Sequence, residues 1–313
     1  MSDIPASDSA STSPASRAAL TVLRNALAAM NASETAPVGL LPVPEIMASA
    51  REIYASACTP ANTMLIAQVV EQILHHPEHQ KDPEIWAMCA NVLCCDYLNR
   101  WNGSDAAQLA AAEHAAETAL RLDPNHRRAT YVAAFLHRAR GRHAESLAAF
   151  ERVIAFRPDA ADRMTAEAYA QSGTQWTYLG HPERTRDLVD KAIAITPSDS
   201  PAIGVFYWIN GRPEFIRSNY GAAIDWFERS IAIRRHFWYV RAWLIAAYEL
   251  NKQRDEAQRA LDEFRALFPK LDSVAAVINA ERNIPHSNPV LIDARHRVHA
   301  ALIMAGLPAA EPA

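Results

Sequence analysis

Four stretches of this chain place small, large and polar side chains in one recurring order. Residues 141–158 read GRHAESLAAFERVIAFRP and residues 180–197 read GHPERTRDLVDKAIAITP, while residues 218–235, SNYGAAIDWFERSIAIRR, and 252–269, KQRDEAQRALDEFRALFP, keep the same span. A small residue falls five places after each start (Ser146, Thr185, Ala223, Ala257) and a larger apolar one four places later (Phe150, Val189, Phe227, Leu261). Val153, Ala192, Ser230 and Phe264 follow three places further on. Steps of four and three mark one face of a helix.

A partner helix is expected to begin fourteen residues before each start, with Ala134, Gly173, Gly211 and Ile245 at its eighth position. Three of these are small, as close packing of paired helices demands. Ile245 departs from the pattern, and Pro213 predicts a kink in its helix. The units close at Pro124, Pro158, Pro197, Arg235 and Pro269, separated by 34, 39, 38 and 34 residues. Proline cannot continue a helix, and the two longer intervals read as insertions of about five residues between helix pairs.

Upstream, Thr59-Pro60, Asp82-Pro83 and Ser200-Pro201 each set a capping side chain before a proline at the first helical position, where its missing N–H is harmless. Residues 83–100, with Trp86, Cys89, Ala90 and Leu93, and residues 106–121 form an initial pair, joined by a long NRWNGSD loop. Residues 44–58 and 60–76 read as a degenerate pair before it, because Leu65, Val69, Val70, Ile73 and Leu74 share a face. Further helices are expected at 17–31 and 288–304, the last covering the open end of the stack with Leu291, Val298, Leu302 and Ile303.

The period resembles that of the tetratricopeptide repeat, a helix-turn-helix unit of about 34 residues. That resemblance implies an all-α solenoid, a right-handed superhelix of stacked pairs, with amino-terminal helices and a carboxy-terminal capping helix. The strings LNRWN, GVFYWINGR, FWYVRAWLIAAYEL and ALIMAGLP are similar to repeat regions that accompany bacterial class III adenylate cyclases and winged-helix regulators. They imply signalling-linked binding without cyclase activity, for the first 80 residues read as tail and helices. The division expected is a disordered tail at 1–16, a helical region at 17–82, the solenoid at 83–270, capping helices at 271–308 and a tail at 309–313.

In such a solenoid, positions 2, 5, 9 and 12 of successive first helices line the concave face. They select a partner-binding groove of Asn91, Arg128, Tyr131, Phe135, Arg138, Thr174, Trp208, Arg212, Phe215 and Tyr239. Aromatic groups beside arginine suit a protein segment, since rings supply area at little entropy cost and guanidinium groups hold carboxylates bidentately. Packing on neighbouring helices is the competing role for Phe135, Trp208 and Phe215. A Lys and Asn arrangement for gripping a terminal carboxylate is not evident.

Composition narrows the function. Lys and Arg number 31 against 35 Asp and Glu, a formal charge of −4 that offers no general attraction to nucleic acid or anionic lipid. Only nine Gly occur, which favours helix over strand. No run of about eighteen apolar residues and no basic segment before an apolar core appears at the start, so a cytoplasmic, non-membrane protein is expected. Cys58, Cys89, Cys94 and Cys95 form no CxxC pair and read as free buried thiols.

His75, His76 and His79 surround Pro77, which breaks the ligand geometry of the i,i+4 pair, so they read as a solvated helix end and no metal is assigned. The local basic run Arg234-Arg235-His236, with Arg229 and Arg241, reads as a solvated helix junction. No GxxxxGK[ST], GxGxxG or GxSxG occurs, and neither catalysis nor a cofactor is expected. The reading is a scaffold or adaptor that binds a protein segment. Its rivals are a self-associating regulatory module forming a homodimer, and an enzyme with a site in the amino-terminal 80 residues.

Overall fold

The computed structural model describes residues 13–31, 42–56, 59–102, 105–157, 161–281 and 288–310. Pro158, Cys58 and most of the tail expected over residues 1–16 lie outside them. Regular structure among the described residues is entirely helical, with fifteen α-helices. They fall into two compact units divided between Arg140 and Gly141.

The first unit holds α1 (Pro14–Asn31), α2 (Val43–Ser56), α3 (Pro60–Leu74), α4 (Pro83–Asn99), α5 (Ala106–Leu122) and α6 (Arg127–Ala139). Its helix starts are chemically marked. Thr59 Oγ1 accepts from the Asn62 N–H at 3.3 Å and Asp82 Oδ1 from the Glu84 N–H at 2.9 Å, each beside its proline. Asp105 caps α5 in the same way. Leu23, Ile46, Ile53, Ile66, Val69, Val70, Ile73, Met88 and Val92 make the core that joins α1, α2, α3 and α4. Beside it Thr63 Oγ1 donates to Asp96 Oδ1 at 2.6 Å, and Asn102 Nδ2 donates to Asp96 Oδ2 at 2.9 Å, tying α3, α4 and the following loop.

The second unit holds α7 (His143–Phe156), α8 (Arg163–Tyr178), α9 (Thr185–Ala194), α10 (Ala202–Ile216), α11 (Tyr220–Ile233), α12 (Trp238–Leu250), α13 (Arg254–Leu267), α14 (Val274–Ala280) and α15 (Pro289–Met304). All twelve residues of the recurring face, from Ser146 to Phe264, are 0 % exposed. The residues that begin the four aligned stretches, Gly141, Gly180, Ser218 and Lys252, have φ of 73°, 89°, 64° and 63°. Within the second unit Gly180, Ser218 and Lys252 each reverse the chain between two paired helices, in the conformation glycine adopts most cheaply.

The small eighth position has a direct steric reason. A Cβ on Gly211 would lie 2.3 Å from the Phe227 ring, so α10 and α11 approach this closely only because the side chain is absent. On Gly173 the contact is with Thr185, whose hydroxyl also donates to the Gly173 carbonyl at 2.8 Å. Ile245, the large residue at this position, is fully buried. Helix α10 runs from Ala202 through Pro213 to Ile216.

The last helix covers more than an end. Leu291, Ala294, Val298, Ala301 and Leu302 enter one core with residues of α12 and α13. Asn288 lies against Gly180, and Arg297 donates to the Phe215 and Ile216 carbonyls at the end of α10. Ile303, expected in the buried face, is 47 % exposed. The steps 291, 294, 298 and 301 carry the buried stripe past it, so residue 303 falls on the other side of the helix.

Candidate partner-binding surface

In the first unit the selected residues lie on α4 and α6, and local contacts already hold most of them. Glu84, near the start of α4, accepts from Arg128 Nε at 3.2 Å and from Arg51 Nη1 at 3.3 Å, while His126 Nε2 stands 3.3 Å from its other oxygen. His126 Nδ1 accepts the Ala129 N–H as the cap of α6, which leaves the ring proton on Nε2, facing Glu84. Burial alone would raise the Glu84 pKa. The His126 hydrogen bond and the Arg128, His126 and Arg51 charges outweigh it and hold the carboxyl below its ordinary value. Arg128 is therefore half-buried and paired.

Tyr131 is buried, with its ring 5.0 Å from that of half-buried Phe135, and the Arg138 guanidinium lies 4.7 Å over Phe135. Asn91 and Arg138 are buried as well.

In the second unit, Trp208 is a half-buried hub. Its ring stands 5.3 Å from each of Phe227, Tyr239 and Trp243, and Phe237 stacks on Tyr239 at 5.0 Å with Trp238 at 5.8 Å. These rings on α10, α11, α12 and the residue before α12 form a continuous aromatic wall, of which Trp208, Phe237, Trp238, Tyr239 and Trp243 keep partial exposure. One helical turn along α10 from Trp208, buried Arg212 donates to Tyr178 Oη at 2.9 Å and to Thr174 Oγ1 at 3.2 Å. Thr174 and Phe215 are enclosed. Phe215 packs under Trp243 at 4.9 Å and Tyr220 at 5.3 Å, with the Arg297 guanidinium 5.4 Å over its ring.

Of the ten selected residues, Arg128, Phe135, Trp208 and Tyr239 are half-buried, and the other six are buried. Sequence spacing passed over Trp238 and Trp243, which occupy positions 1 and 6 of their helix, and Tyr178, just beyond position 12. The dense aromatic string at 237–243 was the available signal. Nothing local marked the reach of Arg297 to the end of α10, about eighty residues away in sequence.

The other candidates have plain surroundings. Cys89 and Cys95 are half-buried and Cys94 is buried; burial pushes the Cys89 thiol up to about 11 and the Cys94 thiol higher, so neither ionises readily. Helix α3 ends at Leu74, before the histidines, and among the described residues no group of three His, Cys, Asp or Glu could hold a metal. Arg241 is not a surface member of the basic run. It is buried, donates to the Arg235 carbonyl at 2.9 Å and pairs with Glu263 at 3.0 Å, because its position on α12 faces the start of its own unit. Among the described residues no helix is long and apolar enough to cross a membrane.

No protein-family model matches the chain, and no curated protein does. Solved structures do. A chain of the APC/C hetero-tetramer Cut9-Hcn1 is 16% identical, with 92% of this chain and 51% of that one covered and a TM-score of 0.56. This chain thus spans about half its length. PilW, a widely conserved type IV pilus biogenesis factor, is 18% identical over 72% of this chain and 95% of that one, with a TM-score of 0.51. YrrB, a TPR protein with an unusual peptide-binding site, is 16% identical over 68% and 98%, with a TM-score of 0.42. The likeness is one of fold, an all-α stack of tetratricopeptide type.

Proposed function

We propose that this chain is a protein-interaction scaffold that binds a segment of another protein along the aromatic wall of its second unit. The observation that carries this reading is the continuity of Trp208, Phe237, Trp238, Tyr239 and Trp243, which contact one another while each keeps surface open. Rigid rings of this kind supply contact area with little entropy to lose, and arginine and aromatic residues dominate binding hot spots. A chain of similar fold belongs to the Cut9-Hcn1 hetero-tetramer, which agrees with a binding role. Thr174, Arg212 and Phe215 then support the wall from beneath.

The test places a photo-crosslinking amino acid at Tyr239 and, as a control, at exposed Asp262 on α13. Partner capture from Tyr239 and not from Asp262 is expected. Trp238→Ala with Tyr239→Ala should leave melting nearly intact and weaken partner binding at least tenfold, since central aromatic anchors cost about 2 kcal/mol or more each when truncated. Capture from Asp262 alone, or undiminished binding by the double variant, would refute the reading. Cross-links confined to a second copy of this chain would replace it with self-association.

A further inference from the structure

We propose that Asp96 is a proton-binding site of the first unit, a carboxylic acid whose proton completes a clasp between α3, α4 and the residues that follow α4. Asp96 is 3 % exposed, and its carboxylate meets two neutral groups, the Thr63 hydroxyl and the Asn102 amide. Among the described residues no charged side chain of α2, α3, α5 or α6, the helices packed on α4, is paired with it. Other enclosed carboxylates do have cations. Glu84 has Arg51, Arg128 and His126, Glu281 has Arg295 and His299, and Glu249 has Arg254 at 3.8 Å. An ionised carboxylate buried without an opposite charge is costly, and taking up a proton removes that cost.

With Asp96 ionised, the cluster is short of hydrogens. Thr63 Oγ1 stands 2.6 Å from Asp96 Oδ1, 3.0 Å from the Pro60 carbonyl and 3.1 Å from the Thr59 carbonyl, and has one hydrogen to give. Asn102 Nδ2 stands 2.6 Å from the Pro60 carbonyl, 2.9 Å from Asp96 Oδ2 and 3.2 Å from Thr63 Oγ1, and has two. Three hydrogens thus serve six close contacts. A proton on Asp96 Oδ1 supplies a fourth. It donates to Thr63 Oγ1 across the 2.6 Å contact, Thr63 turns its own hydrogen to the Thr59 or Pro60 carbonyl, and Asn102 keeps its bonds to Asp96 Oδ2 and Pro60. Each group then has a partner, and no charge is enclosed. Burial is the largest influence on the carboxyl and raises its pKa, which the bonds from Thr63 and Asn102 oppose only in part. A metal ion would need oxygen ligands around one point, and the Asn102 amide nitrogen occupies the point where these oxygens converge.

The clasp therefore responds to pH in the sense opposite to Glu84, whose carboxyl is held below its ordinary value. The folded pKa of Asp96 lies above the unfolded one, so the penalty of an enclosed charge is present above the folded value and gone below the ordinary value of 3.8. Acid tightens the clasp and alkali loosens it. Aspartate labelled with carbon-13 at Cγ reports this in the full chain through a pH titration. The Asp96 signal is assigned by its absence in Asp96→Asn and by its displacement in Asn102→Ala, a change at an exposed residue. Its midpoint should lie above 3.8 and rise further in Asn102→Ala, which removes a donor that favours the charged form. The melting temperature of the parent relative to Asp96→Asn should increase as pH falls from about 7 to about 4. A midpoint at or below 3.8, or one that falls in Asn102→Ala, would overturn the proposal. So would a saturable movement of the Asp96 signal by calcium chloride at neutral pH, because a cation rather than a proton would then complete the cluster. If Asp96→Asn does not fold, the parent and Asn102→Ala titrations still decide the matter.

Discussion

Gly211 and Phe227 show how a single missing side chain sets a helix pair. The Phe227 ring fills the space a Cβ would need, and Trp208 and Trp243 lie against the same ring. Gly211→Ala should therefore overpack the junction of α10 and α11 and cost about 1–3 kcal/mol, read from urea unfolding. Phe227→Leu in the Gly211→Ala background should recover part of the loss. A Gly211→Ala protein as stable as the parent would show that the two helices separate without penalty. Ser218 and Lys252 make the complementary point. The turn fixes their left-handed φ, and the chain uses ordinary residues where its other two units use glycine.

Between elements, charge does work that apolar packing does not. Glu84 binds α2, α4 and the start of α6 through Arg51, Arg128 and His126. Its carboxyl pKa is lower in the folded chain than in the unfolded one. Its contribution is thus fully present above the ordinary value of 4.5 and disappears as pH falls through the lower folded value. At pH 7, Glu84→Gln should cost about 1–2 kcal/mol, a figure discounted because the pairs are partly solvated. The gap between variant and parent should narrow below pH 4.5 as the parent's carboxylate takes up its proton. Unfolding midpoints at pH 7, 5 and 3.5 check this, and a gap that widens toward acid would contradict the assignment.

Within the second unit taken whole, α15 acts as a strap. It meets Gly180 at its start, ties the end of α10 through Arg297, and buries Leu291, Val298 and Leu302 with α12 and α13. Truncation after Lys270 removes that cover and the cap on α10 together. The shortened protein should aggregate or melt at a markedly lower temperature, since a stack of repeats needs its terminal faces closed. Light scattering and circular dichroism would detect both, and a soluble product with unchanged melting would mean that α15 is dispensable.

The sequence by itself determined most of the helices and the recurring buried face of the second unit, because these follow from spacing along one chain. The twelve recurring positions from Ser146 to Phe264 are all enclosed, and Thr59 and Asp82 carry the caps their neighbouring prolines implied, whereas α10 begins at Ala202, one residue beyond the Ser200-Pro201 pair. Spacing also located Trp208, Arg212 and Tyr239, but it could not tell an open side chain from a covered one. Exposure depends on what another part of the chain places over a residue. Phe215 is enclosed by Trp243, Tyr220 and Arg297, the last of them 82 residues away. Whether an arginine has a counter-charge is likewise a property of three dimensions. In one dimension Arg212 and Arg241 look alike, and only the fold brings Glu263 to one and leaves the other with two hydroxyls.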